Sequence, residues 1–494
     1  MSRQENKVLN ATKWSSITEI AAKLVTPISN IILARLLTPE TFGVVATTTM
    51  VFSFADMFTD SGFQKYLIQH EFKDAKDREE SATVAFWTNM ALSVFFWVII
   101  AVFSEQIAAM VGNPGLGNVI MVACVSLPLT SFSSIQMALY RRDFDFKPLF
   151  YVRMVAVVIP LVVTVPLAFL TQSYWALIVG TICGNLSNAI ILTWRSTWKP
   201  HPFYSIAKLK EMLSFSIWSL VEAVSIWLTN NIGVFIVGAY LSSYYLGLYK
   251  TSINTVNQIM NLITSATTTV LFAALSRQQN DKDKFYQTFF AFQRNIGLLI
   301  VPIGIGNFLY QDLVTKILLG NQWTEAAGFI GLWGWVNSMK ILLSNYCSEA
   351  YRAVGRPRVS VFVQISQLVV LIPAIMYGAT QGFQTLYVMR CLVSVVLILV
   401  NLLTVKITLK ISPLKMILNI VPEICAALIM AVIGVGLRKL SSNVIWSFVS
   451  IVICIVVYFS VIILMPNTRK EFWPIIKNAA IKIKKRIREK YPVY

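Results

Sequence analysis

Charge is what this sequence has least of. Only 13% of its 494 residues are Asp, Glu, Lys or Arg, about half the share carried by a soluble globular domain. A chain that is 56% apolar, with a mean hydropathy of +0.65, cannot cover its surface against water. Histidine is scarcer still. His70 and His201 are the two in the chain, both in polar connecting stretches, which argues against a histidine proton relay inside a membrane. Cys124, Cys183, Cys347, Cys391, Cys425 and Cys454 lie within apolar runs and show no CxxC spacing. Neither a disulfide framework nor a zinc site is implied, and no metal is expected. The polar start MSRQENKVLNATKWSS lacks a short apolar core followed by a small-residue cleavage site, so the first long segment is expected to act as its own targeting signal.

What the sequence has instead is a succession of apolar runs, each about 20 residues long and separated by short polar gaps. Read in order, they predict membrane helices over 12–37, 41–69, 80–104, 117–140, 146–170, 174–197, 210–239, 244–276, 285–310, 325–352, 357–379, 383–405, 415–437 and 443–465. The expected fold class is an all-α polytopic membrane protein with about 14 transmembrane helices, embedded in the lipid bilayer. The net charge of +19 is spread over loops and a tail instead of forming a basic face on a soluble domain, so nucleic acid is not an expected partner. Stretches such as QHEFKDAKDREE, YRRDFDFK, RSTWKPHPFYSIAKLK, SRQQNDKDK and YRAVGRPR each carry several cations, whereas the alternate loops, such as LLTPETFG, TQS and LSSYYLG, carry almost none. The cation-rich side is read as cytoplasmic, which places both termini there.

Internal matches organise the runs. LLTPETFG and YLSSYYLG place Gly43 against Gly247, Tyr140-Arg141 matches Tyr351-Arg352, and SYWALIVGTIC matches GFQTLYVMRCL at a similar offset. Three matches at nearly one period suggest two pseudo-symmetric six-helix bundles, residues 1–200 and 207–410, entering the membrane from the same side. A helix pair over 411–466 and a basic cytoplasmic tail over 467–494 follow. The tail, containing NAAIKIKKRIREKYPVY, is amphipathic and suits an anionic membrane surface. It is also a candidate contact for a protein of the same pathway. A pair of bundles suggests a carrier working by alternating access.

Ionisable residues inside apolar runs are costly and normally face a cavity or a partner. Cations outnumber acids among them. Glu19 and Lys23 sit four apart, as an intrahelical pair would, and Asp56 and Asp60 share a face. Arg35, Lys65, Arg153, Lys250 and Arg390 lie near helix ends, where snorkelling to headgroups is the competing explanation. Lys340 and Arg294 lie deeper. Asn254, Gln258 and Asn261 fall on one stripe of the eighth segment, which suits hydroxyl-rich sugars as well as helix-to-helix hydrogen bonding. The candidate substrate-cavity residues are Lys23, Arg35, Asp60, Glu222, Lys250, Asn254, Gln258, Arg294 and Lys340. No catalytic residue is expected. A cationic, amide-lined cavity would stabilise a pyrophosphate-linked glycan headgroup.

The stretch WSSITEIAAKLVTPISNIILARLLTPETFGVVATTTMVFSFADMFTDSGFQKYLIQ closely resembles the start of bacterial polysaccharide transport proteins. These are the Wzx-like and teichuronic-acid or colanic-acid type flippases of the multidrug/oligosaccharidyl-lipid/polysaccharide exporter superfamily. The matching blocks touch Arg35, Pro39, Gly43, Asp60, Gly62 and Gln69. Pro39 and Gly43 also read simply as a tight turn and the opening of the next helix. The resemblance implies a V-shaped, all-helical exporter in the bacterial inner membrane. Such an exporter moves undecaprenyl-pyrophosphate-linked oligosaccharide to the outer leaflet, with a proton or sodium gradient as the candidate coupling and no other cofactor.

Two rivals share the topology. A multidrug or cation antiporter needs a buried carboxylate, for which Asp60 and Glu222 are candidates, but the excess of cations argues against an anionic drug pocket. A membrane polysaccharide polymerase or ligase needs a sizeable outer loop, and the outer loops here are about a dozen residues at most. The pairs Asp143-Phe-Asp145 and Asp281-Lys-Asp283 fall on the opposite, cation-rich side.

Overall fold

Hydrocarbon offers no hydrogen-bond partners, so a chain that lives in it must satisfy each backbone N–H and C=O within its own segment, which favours helices. The computed structural model describes Trp14 and residues 25–60, 62–441 and 443–465. Among the described residues every regular element is helical. In chain order they are α1 (Val25–Leu36), α2 (Pro39–Asp60), α3 (Phe63–Gln69), α4 (Ala75–Val102), α5 (Ser104–Met110), α6 (Gly117–Arg142), α7 (Phe146–Thr171) and α8 (Trp175–Arg195). There follow α9 (Ile206–Tyr240), α10 (Ser243–Arg277), α11 (Lys282–Leu309), α12 (Gln311–Leu318), α13 (Asn321–Ala353), α14 (Pro357–Thr380), α15 (Phe383–Leu409), α16 (Pro413–Leu440) and α17 (Val444–Leu464).

Twelve of these are long and apolar enough to cross a bilayer, or 13 when α10, bent by 42°, is taken as one span. The all-α polytopic class is as expected. Helices occupy the second to fourteenth predicted segments, while the first appears only as α1, residues 1–13, 15–24 and the basic tail lying outside the described residues. Large apolar side chains stand exposed along the helices, among them Trp194 at 81%, Ile407 at 78% and Leu170 at 77%. Such surfaces suit lipid and would aggregate in water. The helix starts lie in polar turns: Asp74 accepts from the Asp77 N–H at 2.7 Å, Asn443 accepts from the Ile445 N–H at 3.1 Å, and Ser412 caps α16 ahead of Pro413. These side chains meet donors that a helix cannot pair internally.

The chain divides into two compact units. The first comprises residues 1–254, 318–324 and 368–389. Its packing includes an apolar cluster of Phe63, Leu67, Phe86, Ile135, Leu139 and Met212. Beside it lies a charged layer. Lys208 binds both Asp77 and Glu80, and Arg78 meets Asp143 at 2.6 Å. Arg142 donates to the carbonyls of Leu67 and His70 at 2.8 and 2.6 Å, closing the end of α3. Burial pulls the Lys208 pKa down, but its hydrogen bonds to Asp77 and Glu80 outweigh burial and the net direction is up. A raised cationic pKa stabilises the fold at all pH values below the ordinary lysine value, the contribution fading only as pH rises through the raised value. This clamp is therefore constant around neutrality.

The first unit also holds a close helix crossing. A Cβ at Gly43 on α2 would overlap the Ser243 carbonyl oxygen, and a Cβ at Gly247 on α10 would overlap the Pro39 carbonyl oxygen. The contact is reciprocal, each glycine meeting the carbonyl four residues before the other. Next to it, Gly112 has φ +77° and would strike the Gly238 oxygen if it carried a side chain. Buried Asn113 donates to Thr47 at 3.0 Å and accepts from the Ser243 hydroxyl.

The second unit comprises residues 255–317, 325–367 and 390–494, and α11 runs through it. Gly304 of α11 lies against Ser338, and Asn307 lies against Gly334 and donates to the Ile330 carbonyl at 2.7 Å. Gln293 donates to the Leu342 carbonyl at 3.3 Å, inside a π-helical turn over Ile341–Asn345. The last two helices are tied to α11 by Tyr310 to Ser450 at 2.9 Å, Tyr458 to the Leu298 carbonyl at 3.1 Å and Asn419 to the Phe290 carbonyl at 2.9 Å.

The glycine crossing yields a clean test. Gly43→Ala forces backbone apart and is expected to destabilise the purified protein by about 1–3 kcal/mol. Gly184→Ala, in α8 with open space around it, should be neutral or stabilising by up to ~1 kcal/mol. Thermal unfolding in detergent checks both, and equal melting temperatures for the two variants would refute the contact.

Candidate functional site

An ionised side chain inside a membrane protein persists only where something offsets its desolvation. The second unit holds two basic side chains around one ring. Trp333, 2% exposed, lies on α13. The Arg390 guanidinium carbon of α15 sits 4.8 Å from the centre of its ring and the Lys340 Nζ 5.9 Å. Cation–π attraction offsets part of the charge burial, on the order of 0.5–2 kcal/mol per contact. The indole N–H donates to the Asn257 carbonyl oxygen at 3.4 Å, and the Asn337 amide donates to the same atom at 3.2 Å. These bonds fix the ring.

No carboxylate is bonded to either cation among the described residues. Arg390 is 9% exposed, and its Nη1 has no hydrogen-bond partner. Lys340 keeps part of its surface accessible. It also sits one residue before the π-helical turn at Ile341, a helix irregularity frequent at functional sites. The arrangement thus presents a forked donor and an ammonium beside an aromatic ring, a chemistry suited to an anionic oxygen group next to a sugar.

Of the residues the sequence singled out, Lys340 is placed here. Arg294 instead donates to Asn419 of α16 at 3.0 Å. Arg35 is exposed near the end of α1, its Cγ against the Gly320 turn. Lys250 is partly buried, Asn254 exposed and Gln258 partly buried along α10. Lys23 lies outside the described residues, as do the side chains of Asp60 and Glu222. Arg390, read from the sequence as a helix-end residue able to snorkel, turns inward over Trp333. Trp333 and Asn337 carry no signal in the sequence, and Asn257 is one of the polar residues of the eighth segment that stand beside the stripe of Asn254, Gln258 and Asn261. A tryptophan in an apolar run carries no mark of a site until its neighbours are known.

The two acidic pairs considered for an enzyme have structural engagements. Asp143 binds Arg78, and Asp281 accepts from the Lys284 N–H at 3.2 Å and pairs with its ammonium at 2.9 Å, capping α11. Among the described residues no cluster of three or more His, Cys, Asp or Glu could hold a metal ion.

Comparison with known proteins gives this geometry its context. A family model described as "Polysaccharide biosynthesis protein" matches residues 32–328. An uncharacterized membrane protein of the cps region of Klebsiella pneumoniae is 24% identical over 399 residues, covering 78% of this chain and 81% of that one. The lipopolysaccharide biosynthesis protein WzxC of Escherichia coli is 21% identical, over 75% of each chain. The succinoglycan biosynthesis transport protein ExoT of Rhizobium meliloti is 23% identical over 71% of this chain and 70% of its own. Among solved structures, the lipid II flippase MurJ in an inward closed conformation superposes with a TM-score of 0.73 at 12% identity, over 91% of this chain and 98% of that one. An inward-facing multidrug resistance MATE transporter of the MOP superfamily gives 0.59 at 13% identity, over 81% and 98%. The fold is that of these transporters, and the resemblance read from the ILARLLTPETFG block is borne out.

A site that holds like charges together should cost stability. Lys340→Met keeps the volume, removes one desolvated cation and relieves its repulsion with Arg390, so it is expected to stabilise the protein by about 1–3 kcal/mol. A rise in melting temperature in detergent is the readout. A fall would mean that Lys340 is compensated within the fold.

Proposed function

The chain belongs to the polysaccharide biosynthesis protein family, and on that premise we propose that it is a transporter for undecaprenyl-pyrophosphate-linked oligosaccharide. It carries the polysaccharide repeat unit from the cytoplasmic to the outer leaflet of the bacterial inner membrane by alternating access, with both termini cytoplasmic. One observation carries the substrate class: two cations, Arg390 and Lys340, flank Trp333 within a membrane-embedded unit, with no carboxylate bonded to either among the described residues.

A diphosphate supplies the missing negative charge. Its oxygens accept from the free Nη1 of Arg390 and from the lysine ammonium, and low local dielectric strengthens both contacts. The buried indole holds the two cations in place beside the bound headgroup. The polyprenyl chain needs no protein pocket, because it stays in lipid. A cationic drug would meet like charge at this site, so the same observation disfavours the antiporter reading.

The test is genetic and chemical together. A deletion strain is expected to accumulate lipid-linked oligosaccharide on the cytoplasmic leaflet and to lose surface polysaccharide. Wild-type protein should restore both. Arg390→Gln should restore surface polysaccharide about tenfold less well at equal expression, the effect of losing one charge-assisted contact. Unchanged surface glycan with no lipid-linked intermediate in the deletion strain would overturn the proposal.

A further inference from the structure

A second cationic feature of the second unit lies apart from Trp333. The start of α11, the turn between α13 and α14 and the turn between α15 and α16 enclose a cavity of about 190 Å³. Lys282, Arg356 and Lys410 line it together with Tyr286, Thr408 and Leu409, and among the described residues no carboxylate lines it. The nearby Asp281 is occupied by Lys284.

The frame is built by hydrogen bonds. Tyr286 donates to the Leu409 carbonyl at 2.6 Å, and Arg356 Nη1 donates to the Thr408 carbonyl at 3.0 Å. These bonds take up carbonyls at the end of α15 that would otherwise present negative charge to the cavity. Lys410 follows in the left-handed region, at φ +55°. That position ordinarily favours glycine, so a lysine there is strained.

We infer that this cavity binds the headgroup phosphate of an anionic phospholipid. Phosphodiester chemistry matches three lysine and arginine donors with no acid among the described lining residues, and basic pockets between transmembrane helices are suited to anionic headgroups. The surroundings select a lipid over a free phosphate. Leu403, Ile407 and Leu414 stand 61%, 78% and 64% exposed on the two helices that meet at Lys410, giving acyl chains an apolar surface beside the charged one. The inference is independent of the transport proposal, since it concerns neither Trp333 nor the glycan.

The experiment is native mass spectrometry of the full-length protein released from detergent, titrated with phosphatidylglycerol or phosphatidylcholine. Wild type is expected to bind phosphatidylglycerol more tightly, with the preference falling as salt rises. Lys410→Gly suits the left-handed backbone, so it should keep or raise the melting temperature while reducing phosphatidylglycerol affinity by roughly fivefold. Lys282→Ser with Lys410→Gly should abolish the preference, whereas Arg195→Ser, outside the cavity, should leave it intact. Three results overturn the inference. One is equal binding of the two lipids by wild type, and another is a preference that survives the double substitution. The third is competition by glycerol 3-phosphate at concentrations as low as the lipid itself, which would make the site one for soluble phosphate. If the double variant unfolds, the single Lys410→Gly decides, because its backbone strain is relieved.

Discussion

Nothing in hydrocarbon can accept or donate a hydrogen bond, and almost every feature of this protein follows from that constraint. It makes the described chain helical, confines capping residues such as Asp74, Ser412 and Asn443 to polar turns, and makes helix association depend on close packing and internal polar contacts. Water would drive apolar helices together; lipid does not. The helices must therefore fit. Gly43 and Gly247 let two backbones touch, and Asn89, Asn307 and Asn401 each donate to an oxygen on a neighbouring helix at 2.7–2.8 Å. The cost of leaving such an amide unbonded in lipid makes each a positional pin.

The same constraint explains how much could be read from the sequence. Segment positions follow from local composition, since a run of about 20 apolar residues has few alternatives to a spanning helix. The expected segments from the second onward accordingly coincide with helices. Lys340 stood out for a related reason, because a charge deep in an apolar run needs justification wherever the chain goes.

Partnership was not legible. Arg390 lies eight residues into α15 by sequence, where reaching out to headgroups and turning inward are equally open. Only the tertiary position of Trp333 decides between them. Arg294 and Asn419 meet across α11 and α16, and nothing in either segment announces the other. Gly43 and Gly247 were matched as equivalent positions of a repeat. That matching is local sequence, whereas their reciprocal contact is geometry. Glycine leaves the same trace in a sequence whether it opens a turn or admits a neighbouring backbone.

Taken with the hydrocarbon constraint, the contrast between the two groups of cations is informative. Lys208, Arg78 and Arg142 are each matched by carboxylates or carbonyls, and such matched charge stabilises a fixed arrangement. Arg390 and Lys340 are held by the face of an indole, which attracts a cation more weakly than a carboxylate does and leaves N–H groups free. A carboxylate in the place of Trp333 would hold both cations more firmly and neutralise them. On the proposed function, a diphosphate would then have to displace an ion pair, and its binding energy would fall accordingly. The ring offsets part of the cost of burying the two charges without neutralising them. That compromise is what the proposed transport role requires, because a site that binds too tightly cannot release its cargo.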